Sequence, residues 1–235
     1  EDGIRKFLSS VANRVDAIAI TSVFSPTSPQ DEERAREIAR EVLGNNMAVT
    51  LSHEIGSLGL LERENATILN AALFGVTGQV ITATQDVINS AGLAVEMLLA
   101  QNDGTLMALD FAQRFPILTI GSGPANSLRG AAFLTGLTNS IVVDVGGTST
   151  DFGVLINGYP RESAAAVEIG GVRTNFRMPD LLSIAIGGGT TVSGTAAQPV
   201  VGPQSVGYRL TTDALIYGGV TPTLTDALVA EGRLR

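Results

Sequence analysis

The segment from Asn139 to Gly158 constrains this chain most. It reads Asn-Ser-Ile-Val-Val-Asp-Val-Gly-Gly-Thr-Ser-Thr-Asp-Phe-Gly-Val-Leu-Ile-Asn-Gly. Ile141 to Val145 is a short apolar, β-branched run, the composition of a buried strand. Gly146-Gly147 turns the chain, Phe152 to Ile156 resumes a strand, and Asn157-Gly158 is a strong hairpin signal. Two strands therefore flank a Gly-Gly-Thr-Ser-Thr turn, with Asp144 on the way in and Asp151 on the way out. Glycines without side chains let backbone N–H groups approach anionic oxygens, and Thr148 and Thr150 add hydroxyl donors. A carboxylate at a strand end suits Mg²⁺, which keeps part of its water shell. The pattern thus points to phosphate plus a divalent metal. The plainer alternative is a tight hairpin whose Asp and Thr side chains only cap turns.

Composition narrows the classes. With 235 residues and 44% hydrophobic content, the chain can bury the core of one sizeable domain or two small ones. Twenty-seven glycines among mixed helical and strand patterns favour α/β over all-α. A net charge of −8 and the lack of a basic cluster argue against nucleic acid. Lys6 is the only lysine, so lysine nucleophiles and phosphate-gripping lysines are nearly excluded. Zero cysteines remove disulfides and thiolate chemistry, which suits a cytoplasmic setting. Every apolar run is interrupted by Gly, Pro or charge, so no membrane segment is expected. Glu1-Asp2-Gly3 opens directly onto an amphipathic stretch without an initiator methionine, the expectation being a portion of a longer protein.

Along the chain, Ile4 to Ala12 has helical spacing and Asp16 to Phe24 reads as a buried strand. A helix over 31–43, acidic in its first turn and stopped by Gly44, leads to a strand over 47–51. Strand, helix, strand implies a parallel pair with a right-handed crossover. The only histidine, His53, sits in Ser52-His-Glu-Ile-Gly; it reads either as a general base or as a loop histidine bonded to structure. Helices are expected over 61–74 and 76–91, with Glu62, Arg63 and Glu64 on a solvated or inter-subdomain face rather than in a catalytic set. A strand is expected within 93–100, a helix over 106–114 and a short strand over 117–120. Gly123-Pro124 can open a helix running to Leu137, with Ser122 and Gly123 offering free N–H groups to an anion. Its small residues, Ala125, Gly130, Ala131, Ala132 and Gly136, allow close packing. Tyr159-Pro160 reads as a turn, and 168–180 as a glycine-bearing loop carrying Arg173 and Arg177. Those guanidinium forks match carboxylate or phosphate oxygens. A strand over 181–186 enters Gly187-Gly188-Gly189, a tight turn where backbone approaches substrate or phosphate.

Asp144 to Asp151 resembles a phosphate hairpin of the actin, sugar-kinase and heat-shock ATPase superfamily. Ser122-Gly-Pro-Ala-Asn-Ser-Leu-Arg-Gly-Ala-Ala-Phe, followed by Val143-Asp-Val-Gly-Gly-Thr-Ser-Thr-Asp, resembles more narrowly the hydantoinase A / 5-oxoprolinase family. Ser52 to Glu54, the stretch from Leu61, Val201-Gly-Pro-Gln-Ser-Val-Gly and Thr223-Leu-Thr-Asp-Ala-Leu extend the likeness over nearly the whole chain. The resemblance implies an incomplete α/β, actin-like (ribonuclease H-like) ATPase fold of mixed sheets flanked by helices. Residues 1–115 would form one subdomain and 116–235 the phosphate-hairpin subdomain, with the helix from Gly123 as a hinge. It implies ATP and Mg²⁺: Asp144 and Asp151 catalytic and at the metal; Gly146, Gly147, Thr148, Thr150, Ser122 and Gly123 on phosphate; Arg173, Gly188 and Gly189 on substrate. The substrate implied is a cyclic amide, a hydantoin or 5-oxoproline, opened with a hydantoinase B-type subunit in an oligomer. Members also carry an earlier Asp-x-Gly-Gly-Thr motif and a later adenosine motif. Neither is visible here, so this chain alone is expected to bind ATP weakly or not at all and to turn nothing over. Tyr208 to Gly218 departs from the relatives' Ala-Asp-Pro-Gly-Pro-Ala-Cys-Tyr-Gly, which leaves substrate identity open. An ATP-dependent ketone carboxylase subunit and a non-catalytic assembly module are the alternatives.

Overall fold

The structure, a computed structural model, describes residues 1–56, 58–163, 166–195 and 197–234. The chain divides into two compact units, one of residues 1–126 with 162–179, the other of 127–161 with 180–235. A boundary placed at 115/116 does not anticipate the return of 162–179 to the first unit.

In the first unit α1 (Asp2–Val11) leads to β1 (Ala17–Ile20), α2 (Gln30–Leu43) and β2 (Ala48–Leu51). β1 and β2 pair in parallel, Ala17 opposite Ala48 through Ile20 opposite Leu51, as the strand–helix–strand order requires. Gly44, at φ 98°, ends α2 where a side chain would be strained. Leu8, Ile38 and Ala39 form a core with Ile18, Val42, Leu43 and Val49. Ser52–Ile55 winds into a short helix, α3, where the sequence suggests a loop.

Next comes α4, one helix from Leu60 to Ser90 rather than two separated at Gly75. A helical glycine costs about 1 kcal/mol against alanine and does not by itself break a helix. By length and composition α4 is long enough and apolar enough to cross a membrane, against the expectation that no run reaches that length. Its N-terminal half carries buried Arg63, Thr67 and Asn70, and it packs on β1, β2 and the hairpin described below.

β3 (Leu98–Ala100) and β4 (Leu106–Ala108) make an antiparallel pair, and α5 (Leu109–Arg114) follows. Residues expected as a strand over 117–120 form a 3-10 turn instead. The turn is held by side chains: Asn70 accepts from Ile117 N at 3.1 Å, and Asn102 donates to Ile117 O at 3.1 Å. Pro116 removes a backbone donor a sheet would need.

Helix α6 (Ser122–Thr135) spans the point where one unit ends and the other begins. The second unit then opens with β5 (Ser140–Val145), β6 (Thr150–Ile156) and β7 (Tyr159–Pro160). Asn157 (φ 52°) and Gly158 (φ 80°) make the left-handed turn that the Asn-Gly pair signals. Tyr159-Pro160 pairs back on β6 instead of turning. The chain returns to the first unit for β8 (Val167–Ile169) and β9 (Val172–Thr174), a hairpin where the sequence suggests a loop. Phe176 joins the core of Ala66 and Ile117 there.

β10 (Leu181–Ile184) then pairs with β6, giving the order β10-β6-β5 with β7 alongside β6. β11 (Thr190–Thr195) and β12 (Gln198–Ser205) form a second ladder, followed by α7 (Leu210–Asp213) and α8 (Leu224–Ala230). Close packing of α6 on this sheet occurs at Gly153, where an added Cβ would lie 2.5 Å from Leu128 Cδ2. Gly130 faces open space, so the helix's own small residues do not all serve packing.

Candidate functional site

The β5–β6 hairpin carries the residues that the sequence singles out. An antiparallel register puts Asp144 directly opposite Asp151, so both carboxylates stand on one face of the sheet. Like charges so placed repel. Asp151 accepts from the Ser183 hydroxyl on β10. Among the described residues no protein donor reaches the Asp144 carboxylate.

The turn between the strands is partly closed and partly open. Gly146 N donates to Ser149 O at 2.9 Å, which tightens the bend. The amides of Gly147, Thr148 and Ser149 find no protein acceptor among the described residues. Gly147 and Thr148 are exposed, and space around a Cβ at Gly147 is open. Three successive free amides and the Thr148 hydroxyl form a small anion-receiving surface beside a carboxylate pair.

The carbonyls of Gly146, Gly147 and Ser149, in contrast, are occupied. Gly188 N donates to Gly146 O at 3.0 Å and Gly189 N to Gly147 O at 2.7 Å. Thr225 sends both its amide (2.9 Å) and its hydroxyl (2.8 Å) to Gly188 O. The triple glycine therefore lies backbone to backbone on the hairpin turn. An added Cβ at Gly187 would stand 2.6 Å from Gly146 O and 2.7 Å from Gly147 C. Gly188 and Gly189 spend their amides as a brace and keep none for a substrate. Thr150 likewise is buried, and its hydroxyl donates to Ile186 O at 2.6 Å rather than facing outward.

Thr223 and Asp226 form the capping box at the start of α8, leaving Thr225 to brace Gly188. Burial pushes the Asp226 carboxyl up, but hydrogen bonds from the Ile216 amide and from Thr223 outweigh it and hold the group below its ordinary value.

Asp144, Gly146, Gly147, Thr148, Thr150, Asp151, Gly188 and Gly189 thus gather in the second unit. Ser122, Gly123 and Arg173 belong to the first. Ser122 lines an apolar cleft with Leu73, Val80, Leu99 and Asn126. Arg173 is exposed on β9 opposite Glu168, and its carbonyl accepts from Asn65 at 2.9 Å.

One cluster escapes a reading by sequence. Glu32, fully buried, accepts from the Ser52 hydroxyl at 2.5 Å and the Ser22 amide at 2.7 Å. Its other oxygen takes the His53 amide at 3.1 Å and His53 Nδ1 at 2.7 Å. Arg63, also buried, donates from Nε to Ser52 at 2.8 Å and from Nη2 to Ser22 O at 2.6 Å. Burial raises the Glu32 carboxyl, but hydrogen bonds from Ser52, His53 and Ser25 outweigh it and leave the group below its ordinary value. Neither a first-turn glutamate nor an arginine between two glutamates announces burial. The available signal is a Ser-His-Glu sequence immediately after a parallel strand.

For Mg²⁺, the fit rests on the free Asp144 carboxylate beside Asp151. Among the described residues no group of three or more acidic, histidine or cysteine side chains forms a closed cage. Two carboxylates next to an anion-receiving turn match an ion held by one or two carboxylates and completed by water and phosphate.

Residues 63–235 match the family model described as hydantoinase/oxoprolinase. The acetophenone carboxylase gamma subunit of Aromatoleum aromaticum is 30% identical over 99% of this chain and 33% of its own length. The caprolactamase subunit alpha of Pseudomonas jessenii is 29% identical over 94% of this chain and 32% of its own. A solved structure of the ATP-dependent caprolactamase from that organism superposes with a TM-score of 0.72 at 28% identity, covering 94% of this chain and 33% of that one. A nucleotide-free acetone carboxylase shares the fold, with a TM-score of 0.69 at 23% identity over 100% of this chain and 34% of that one. The chain spans about a third of the length of these relatives.

Proposed function

Because the chain belongs to the hydantoinase/oxoprolinase family, we propose that it supplies the phosphate-gripping part of an ATP-dependent enzyme that activates a cyclic amide for ring-opening hydrolysis. The observation that carries this reading is the open turn: free amides at Gly147, Thr148 and Ser149, flanked by Asp144 and Asp151. The family match, and a relative whose name specifies ATP-dependent caprolactamase, support a cyclic amide as the substrate class. In this proposal the fold is actin-like, and the chain works in an oligomer with a hydantoinase B-type subunit.

Asp144 and Asp151 would hold Mg²⁺, which when bound neutralises phosphate charge during transfer. The free amides and the Thr148 hydroxyl orient the phosphate oxygens, and the glycine brace keeps the turn from moving. An amide carbonyl is a poor electrophile; phosphate placed on its oxygen withdraws electrons from the carbon and prepares it for water.

Asp144→Asn tests the assignment. ATP-dependent turnover of the intact enzyme is expected to fall by about 100-fold or more. The fold should stay intact, since cross-strand repulsion worth about 0.2–1 kcal/mol is removed. Unchanged turnover with an unchanged melting temperature supports an assembly module instead.

The 30% likeness to an acetophenone carboxylase subunit favours a second reading, the same phosphate chemistry applied to a ketone. Turnover of 5-oxoproline, hydantoin or caprolactam without bicarbonate supports the first. Turnover of a ketone only with bicarbonate supports the second.

A further inference from the structure

The Glu32–Ser52–His53–Arg63 cluster is not among the residues assigned to phosphate above, yet its position in the first unit is that of a working site. β1 and β2 are parallel, and Ser22 and Ser25 follow the end of β1 while Ser52 and His53 follow the end of β2. In open α/β sheets ligands bind outside the carboxyl ends of parallel strands. Glu32 comes from the first turn of the crossover helix and Arg63 from α4, so four elements converge there.

Geometry fixes the imidazole's tautomer. Glu32, as a carboxylate, only accepts hydrogen bonds, so Nδ1 of His53 carries the proton it donates across 2.7 Å. In the neutral ring Nε2 is then left with the lone pair, and among the described residues it has no protein partner. The His53 side chain is 18% exposed, while Glu32 is sealed at 0%. The other charges around it are engaged: Glu54, next in the chain, pairs with Arg36 and Arg114, and Arg63 reaches the cluster through Ser52. A buried carboxylate that orients a histidine and leaves its outer nitrogen open is the arrangement of a proton-transfer group.

We propose that His53 is a proton-transfer residue of the enzyme, with Glu32 as its positioning residue. The step rests on the cyclic-amide reading above. Nε2 accepts a proton from water as the water oxygen bonds to the amide carbon. The imidazolium passes that proton to the ring nitrogen, and the C–N bond breaks as the water's remaining proton follows and the carbonyl re-forms. The product is an acyl phosphate, which a second water hydrolyses to carboxylate and inorganic phosphate, so two waters are consumed and the histidine ends neutral.

The single histidine makes the test clean. At about pH 8 the nitrogen-15 spectrum of this chain should show Nδ1 protonated and Nε2 bearing the lone pair; a ring protonated on Nε2 would overturn the proposal. Glu32→Gln should mix the two tautomers. In the intact enzyme, His53→Asn keeps a donor amide where Nδ1 stood and removes only the outer nitrogen. It should lower kcat on the cyclic amide by about 100-fold or more with KM little changed. Full turnover with His53→Asn, alongside ATP-dependent activity of the unaltered enzyme, would leave the histidine a structural pin and the cyclic-amide reading standing. If the unaltered enzyme opens no cyclic amide, the cyclic-amide reading and the step both fall.

Discussion

Glu32→Ala is expected to cost the first unit about 3–5 kcal/mol, the loss seen when one member of a buried charge network is removed. Four donors now meet its two oxygens: the Ser52 hydroxyl, the Ser22 and His53 amides and His53 Nδ1. Alanine would leave them in a dry interior, with the buried Arg63 guanidinium still linked to Ser52. Natural domains hold only about 5–15 kcal/mol in total, so equilibrium urea unfolding should show a large drop in midpoint. Glu32→Gln keeps the shape and one acceptor and should cost less. Acid should act in the same direction. The folded-state value of Glu32 lies below its ordinary one, so its contribution is fully present above about pH 4.3 and is lost as pH falls through the folded value. An alanine variant as stable as the parent would mean that the network is not formed.

Gly187→Ala is expected to damage the phosphate turn itself. The new Cβ would meet Gly146 O, Gly147 C and Gly147 O at 2.6, 2.7 and 2.8 Å. All three atoms are backbone, so no rotamer can relieve the overlap. Either the turn or the glycine brace must move, at a cost of about 1–3 kcal/mol by analogy with overpacked cores. Displacing the turn by about 1 Å also spoils positioned catalysis, where such a shift can lower turnover 100-fold. Gly147→Ala is the control: its Cβ meets open space. Thermal melts of both variants, with ATP-dependent turnover of Gly187→Ala in the intact enzyme, check the brace. Equal behaviour would contradict the bracing role.

What the sequence disclosed, it disclosed where the signal was local. Gly44 marks the end of α2, and Asn157-Gly158 adopts the φ values its turn demands. The strands on either side of Gly146-Gly147 pair in the register that sets Asp144 against Asp151. Non-local outcomes stayed hidden. Glycine at position 75 looked like a break, but a single helical glycine costs only about 1 kcal/mol against alanine and α4 runs on through it. Ile117 looked like a strand, but the amides of Asn70 and Asn102, distant in sequence, supply its hydrogen bonds. The triple glycine looked ready to receive a ligand because nothing near it in sequence reveals that Gly146 and Gly147 are its partners. Glu32 read only as a first-turn charge suited to the helix dipole and Arg63 as part of a surface face, and only the convergence of four elements makes their burial tolerable.

The most direct measurement is an amide NMR titration of this chain with Mg²⁺-pyrophosphate, repeated with the Asp144→Asn variant. Weak binding is expected, with the largest shifts at the amides of Gly147, Thr148 and Ser149 and with Asp144→Asn abolishing them. Shifts confined to other residues, or none at these three at saturating pyrophosphate, would contradict the claim that this turn grips phosphate.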